Sequence, residues 1–441
     1  MKNYILIFIV SLFVLSSCEE QLNQQPVDLI SDETVIEDIE SLDAAVLGMY
    51  SSMQSGNQFG ELQVFMPGIL SDEMAFTGTF PTKADMAVNN LTAENGTMRG
   101  VWASPYSTIF IANTILERAV NAGEASEIAP YVAEAKVGRA LGHFNLVKLW
   151  GGVPLALSSE VAITSELPRS SATEVYAQII ADLTEAIADL PLASESSNAT
   201  TRVTRGAAQA LLARAYLYSG NLSLAGQMAN TVITSAEYSL DPSYSNVFDQ
   251  NASSPERIFE LFSSIQDGNL LGFYAQPTGL GGRYDYSPHP DFYAEMDDAD
   301  SRKSLISPNT ADAGFVGFFV TEKYSDPVNG TDFPQVVRLA EMHLIRAQAN
   351  QDVADLNVLR TRAGLAPLAA YSDAAMYTER KFELAFEGHR WFDLIRSGQA
   401  NAVMGALKPN SWDATDVLLP IPQRELDNNP TLGPADQNPG Y

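Results

Sequence analysis

Apolar residues recur at helical spacing through most of this chain, and the period fails in one long internal stretch. Val35, Ile36, Ile39, Leu42, Val46 and Met49 predict a helix from Ser31 or Asp32 to about Gln54, closed by Ser55-Gly56-Asn57. Gly60 to about Gly96 reads as irregular, with Phe65, Phe76 and Phe80 set among glycine, threonine, proline and asparagine. Trp102, Tyr106, Ile109, Ile115 and Leu116 mark the next helix, in which Trp102 is expected in the core. Tyr131–Trp150 is another, broken by Gly151-Gly152-Val153-Pro154, and Thr173–Leu190 is amphipathic. Thr204–Ala236 reads as two antiparallel helices turning at Gly220-Asn221, with alanine-rich faces that permit close approach and the length of one tetratricopeptide repeat. Such a pair cannot bury its apolar face alone, so neighbouring pairs must stack on it. Between about Asp241 and Phe333 the period disappears, and it resumes at Gln335–Ala347 and Leu356–Leu365.

The last strong element is Thr378–Gly398, read as one long helix with Asp373 as its N-cap and Gly398 closing it. Apolar residues cover more than half its circumference, so it must be buried on several sides. The remaining strip carries Arg380, Glu383, Glu387 and Arg390. Glu383, Glu387 and His389 suggest acid/base chemistry, but carboxylates with arginines one turn away are better explained as a structural ion-pair ladder, because an unpaired buried charge is costly. Gly388 in mid-helix implies that something packs closely there.

Composition narrows the function. The chain has 441 residues, 46% hydrophobic and 18% charged, which is globular rather than disordered. With 54 acidic against 26 basic residues the net charge is −28, so nucleic acid and anionic surfaces would repel it and no nucleic-acid partner is expected. The single cysteine, Cys18, excludes an intramolecular disulfide, and the four histidines are too scattered for a zinc motif. No metal or other cofactor is expected. Gly151-Gly152 is not followed by the lysine of a phosphate loop.

At the N-terminus a basic Met1-Lys2-Asn3 precedes an apolar run, Tyr4–Leu15, too short to span a bilayer. Residues 1–17 are expected to be a signal peptide. Leu15-Ser16-Ser17-Cys18 resembles a bacterial lipobox, so Cys18 is the expected lipidation site. Residues 18–30 would form a polar tether, and three acyl chains would hold it stably where one would not.

Glu379-Arg380-Lys381-Phe382-Glu383-Leu384-Ala385-Phe386-Glu387-Gly388-His389-Arg390-Trp391-Phe392-Asp393-Leu394 resembles the C-terminal signature of the SusD/RagB family of nutrient-binding outer-membrane lipoproteins. Trp150-Gly151-Gly152-Val153-Pro154-Leu155, Leu356–Leu365 and Leu418–Leu426 are similar to further family motifs. The helix Gln335–Ala347 departs from its motif where Gln348 replaces the usual glutamate. The resemblance implies a mostly α fold for 31–441: a scaffold of tetratricopeptide-like helix pairs at about 31–240 and 335–441, with a loop-rich insert at about 241–334. It also implies an outer-membrane, lipid-anchored, cell-surface protein that captures oligosaccharide or polysaccharide for a SusC-like TonB-dependent barrel and breaks no bond.

Sugar rings offer apolar C–H faces and a hydroxyl rim, so a binding surface needs flat aromatics beside Arg, Asp, Asn or Gln. The insert combines these in Tyr274, Arg283, Tyr284, Asp285 and Tyr286, and Asp72, Phe76 and Phe80 in the earlier loop are expected to form a second wall. All four tryptophans lie outside the insert, a departure from glycan-binding relatives that stack sugars on tryptophan. Two other functions compete. The same architecture could bind oligopeptides through backbone hydrogen bonds and permissive pockets. A surface glycosidase would need a carboxylate pair, for which Asp285 with Asp291 and Glu383 with Glu387 are the candidates.

Overall fold

The computed structural model describes residues 36–441, so the signal peptide at 1–17, Cys18 and the tether lie outside the described residues. The first helix, α1 (Ile39–Met53), starts at Asp38, whose side chain accepts from the Ser41 amide while the Ser41 side chain caps the Asp38 amide. Ile36 is buried but precedes this cap, so within the described residues the helix starts later than Ser31 or Asp32.

The stretch expected to be irregular after Gly60 contains α2 (Leu62–Leu70), the short strand β1 (Met74–Phe76) and α3 (Pro81–Ala87). Every residue of α2 is buried, so it has no polar face and hence no amphipathic period to read. Next come α4 (Gly96–Arg118) and α5 (Ala125–Trp150), then the single turn α6 (Val161–Thr164). They are followed by α7 (Ala172–Ala186), α8 (Arg205–Tyr218) and α9 (Leu222–Thr234). Gly220, at φ +83°, makes the turn between α8 and α9. Along one continuous file α1 packs on α4, α4 on α5, α5 on α7, α7 on α8 and α8 on α9. Leu211, Leu212 and a run of alanines on α8 are buried in this file. Burial of each leucine contributes roughly 1.5–3 kcal/mol.

The insert is not wholly without regular structure. It holds β2 (Arg257–Glu260), α10 (Leu271–Ala275), β3 (Tyr286–Pro288), α11 (Pro290–Glu295), β4 (Ile306–Pro308) and β5 (Phe319–Thr321). After it, Gln335–Arg338 forms β6, antiparallel to β2, where the sequence predicts the start of a helix. Val336 and Val337 favour a strand, and pairing with β2 overrides the apolar period that continues from the helix behind them. That helix is α12 (Leu339–Asn350), followed by α13 (Val353–Arg362). The file of helices continues from α9 onto α12, where Gly226 of α9 leaves room for Ala349.

The predicted single helix over the C-terminal signature is two helices. α14 (Asp373–Glu383) starts from a Ser372 cap, and α15 (Arg390–Arg396) follows a bend in which Phe386 and Gly388 have φ of +62° and +82°. A side chain at Gly388 would run into the Gln63 carbonyl, so close packing with α2 breaks the helix at the glycine. The chain ends in α16 (Ala400–Leu407) and α17 (Gln423–Asn428). The fold is mostly α, built of tetratricopeptide-like helix pairs, and among the described residues no helix is long and apolar enough to cross a membrane.

Candidate functional site

The acids of the C-terminal signature fasten the insert to the scaffold. Arg338 at the end of β6 donates to Glu383 and Glu256 at 2.7 Å and to both oxygens of Glu387 at 2.8 and 2.9 Å. Arg302, from the insert, reaches Glu379 at 2.6 Å, Glu383 at 3.0 Å and Asp300 at 2.7 Å. Lys323, also from the insert, donates to Glu387 at 2.8 Å and to the Ala385 carbonyl at 2.7 Å. The ladder therefore exists, but its rungs come from across the fold rather than from one helix face. Of the two arginines in the signature, Arg380 binds Asp393 at 3.0 Å and Arg390 binds Asp72.

This arrangement answers the acid/base suggestion. Burial alone would raise the Glu383 carboxyl, but Arg362, Arg338 and Arg302 outweigh it and hold it well below the usual range. Burial opposes Arg338 and Lys323 at Glu387, and the cations again prevail. A glycosidase acid needs the opposite shift. The other candidate pair is no better matched, because Asp285 is buried while Asp291 is exposed beside His289.

The two segments proposed as ligand walls meet. β1 pairs antiparallel with β3, setting Phe76 against Tyr286 and Met74 against Pro288. The Thr77 amide donates to the Asp285 carbonyl at 2.9 Å and the Thr77 hydroxyl donates to the Tyr284 carbonyl. Behind β3, the amides of Arg283 and Asp285 donate to the carbonyls of Phe273 and Tyr274 at 2.6 and 2.8 Å. Tyr284 takes up φ of +60° to complete this turn, an unusual conformation for an aromatic residue.

Within the joined walls the predicted residues divide by exposure. The Arg283 guanidinium lies 3.9 Å from the centre of the Phe80 ring and donates to Asp285 at 3.1 Å. Arg283, Phe80, Tyr274 and Phe76 are all part-exposed. Tyr284 and Tyr286 are fully buried, which corrects their placement on a ligand-facing surface. Tyr284 donates to the Phe319 carbonyl and Tyr286 to Glu61, both at 2.6 Å, so these rings pin the loop to its scaffold. Asp285 is buried as well. Burial pushes its carboxyl up, and Arg283 and Lys83 only partly offset this. Asp72 is occupied by Arg390, at 2.6 and 2.9 Å, and by Lys381 at 3.2 Å, and so braces the loop.

Lys83 and Glu61 went unnoticed in the sequence. Lys83 is buried against Glu61, 3.9 Å from Asp285 and 4.0 Å from the centre of the Tyr274 ring. Burial pushes the Glu61 carboxyl up, with Lys83 and Tyr286 opposing. A lone lysine after a proline carries no sequence signal for such a role. What remains open to solvent is a plate of Phe80 under Arg283 with Tyr274 and Phe76 alongside, which can stack on an apolar face and donate hydrogen bonds at its edge.

The family described as "Starch-binding associating with outer membrane" matches residues 20–217, and the SusD family matches residues 314–441. SusD-like protein P2 of Formosa agariphila is 30% identical, with the whole of each chain covered. This chain belongs to the SusD family. A laminarin-binding SusD-like protein of known structure is similar at 25% identity and a TM-score of 0.83, over 92% of this chain and 100% of that one. Surface glycan-binding protein A from Bacteroides thetaiotaomicron shares the SusD fold at 23% identity and a TM-score of 0.80, over 92% of this chain and 100% of that one.

Proposed function

We propose that this SusD-family protein is a lipid-anchored, outer-membrane protein facing the cell exterior that captures oligosaccharide or polysaccharide and passes it to a SusC-like TonB-dependent barrel. The observation that carries the reading is the junction of the two loops, which leaves Phe80, Arg283, Tyr274 and Phe76 part-exposed at one place on a rigid, ion-paired base. An arginine plate over an aromatic ring suits a sugar: the ring stacks on the C–H face while the guanidinium and the tyrosine hydroxyl meet the hydroxyl rim. The similarity to a laminarin-binding protein and the starch-binding description of the family support a glucan. No bond is broken in this function, and the locked state of Glu383 and Glu387 supports that. Lipid attachment at Cys18 would keep the site at the surface, with delivery by movement of the whole domain over the barrel.

The test is electrophoresis of the soluble protein, lacking residues 1–18, through gels containing laminarin, starch, fructan or chitin oligosaccharides. Retarded migration without release of reducing ends is expected for at least one glucan. Retention of peptides instead of all glycans would move the cargo to oligopeptide, and product formation would overturn the reading.

A further inference from the structure

Away from the loop plate, a cavity of about 340 Å³ opens between α4, the segment after α5, α6 and α17. It shares no lining residue with the plate. This is the low end of the roughly 300–1,000 Å³ typical of small-ligand sites, with room for one or two sugar rings. One wall is aromatic: Tyr106 and Phe110 stand one helical turn apart on α4, and Phe110 is 42% exposed although Ile109 beside it is core. The opposite wall is polar, with Glu425 and Asn428 one turn apart on α17.

The cavity is held open by groups that are already satisfied. Tyr106 donates to the Pro154 carbonyl at 2.9 Å, and the Asn113 amide donates to the carbonyls of Ala156 and Ser158 at 3.2 and 3.1 Å. Trp102 packs on Tyr106, with ring centres 5.8 Å apart. Glu425 is the under-compensated group. It is half-buried, and burial pushes its carboxyl up against the pull of the Trp102 indole and the Arg424 charge. Such a carboxylate favours a ligand that brings hydroxyl donors.

We propose that this cavity is a second saccharide site, taking a neutral mono- or disaccharide with a ring stacked on Phe110 and Tyr106 and hydroxyls held by Glu425 and Asn428. Uronate and sulfated sugars are excluded by the Glu425 carboxylate and by the net charge of −28. The assignment rests on the reading that the cargo is a glycan, but on different residues.

The experiment is calorimetric titration of the full-length chain with laminaribiose and with maltose, using galacturonic acid as the anionic control. In the Phe80→Ala/Arg283→Ala background, which removes the loop plate's share of binding, one disaccharide site is expected to remain. Phe110→Ala is expected to weaken it about tenfold through loss of one stacking face, and Asn428→Ala, at an exposed position, to weaken it without changing the melting temperature. No disaccharide binding by the wild-type chain, unchanged binding by both cavity variants, equal loss in the cavity and loop variants, or equally good binding of galacturonic acid would each overturn the proposal. The polysaccharide gels judge the loop plate independently of all four results.

Discussion

Arg338 and Glu387 face each other in a paired geometry, with guanidinium nitrogens 2.8 and 2.9 Å from the two carboxylate oxygens. Both side chains are about 2% exposed or less, so each charge depends on the other for compensation. Glu387→Gln leaves Arg338 and Lys323 short of a partner and is expected to cost about 3–5 kcal/mol, the usual penalty for breaking a buried pair. Urea unfolding measures it. A loss under about 1 kcal/mol would mean that the cluster is not the fastening described above.

Adjacent residues of the first loop titrate in opposite directions. Burial pushes Asp72 up, but hydrogen bonds and charge from Arg390 and then Lys381 prevail and hold it at about 2. At Glu73 burial wins and carries the carboxyl to about 8 against the Phe386 amide and Arg390. The fold therefore binds the Glu73 proton more tightly than the unfolded chain does. Its contribution is complete below its ordinary value of 4.5 and is lost as pH rises through about 8. Asp72 contributes above 3.8, and that contribution is lost as pH falls through about 2. Glu73→Gln is expected to flatten the decline in stability between pH 4.5 and about 8, and Asp72→Asn the decline between pH 3.8 and about 2, both read from denaturant midpoints against pH. A Glu73→Gln variant that keeps the wild-type slope between pH 4.5 and about 8 would contradict the assignment.

Gly388→Ala should be costly on two counts. Its φ of +82° strains any L side chain, and the added methyl would meet the Gln63 carbonyl. Strain of this kind amounts to about 1–3 kcal/mol before the steric clash is added. Thermal unfolding measures the total, and hydrogen exchange should show α2 losing protection first.

Glycan capture is expected to depend on the part-exposed members of the loop plate. Arg283→Ala and Phe80→Ala should each weaken retention in a laminarin or starch gel about tenfold, with melting temperatures near wild type. Tyr286→Phe removes the hydrogen bond to Glu61 and should act mainly on stability. Equal retention by the Arg283 and Phe80 variants would move the binding surface elsewhere.

The helix pairs were legible because each keeps an apolar stripe, as with Ala208, Leu211, Leu212 and Ala215 on α8. Helix α2 escaped because it is buried all round, and the apolar period failed at β6, where a strand partner arrives from 257–260. In the C-terminal signature the charges were legible as ion-paired, but their partners Arg302, Lys323 and Arg338 are distant in sequence. The eight residues chosen as ligand walls lie on loops that meet, but composition does not say which of their side chains face outward. The β1–β3 register and the positive φ of Tyr284 decide that, and neither leaves a mark on the local pattern.

The insert's ionic fastenings and its β2 pairing come from later in the chain: β2 waits for β6, Arg302 for Glu379 and Glu383, and Lys323 for Glu387. As the insert emerges, β3 can already join β1 and Tyr286 can reach Glu61, but β2, Arg302 and Lys323 still wait for their partners. The ionic footing beneath the plate is thus completed last, and a protein truncated before Glu379 would carry its loop junction without that footing.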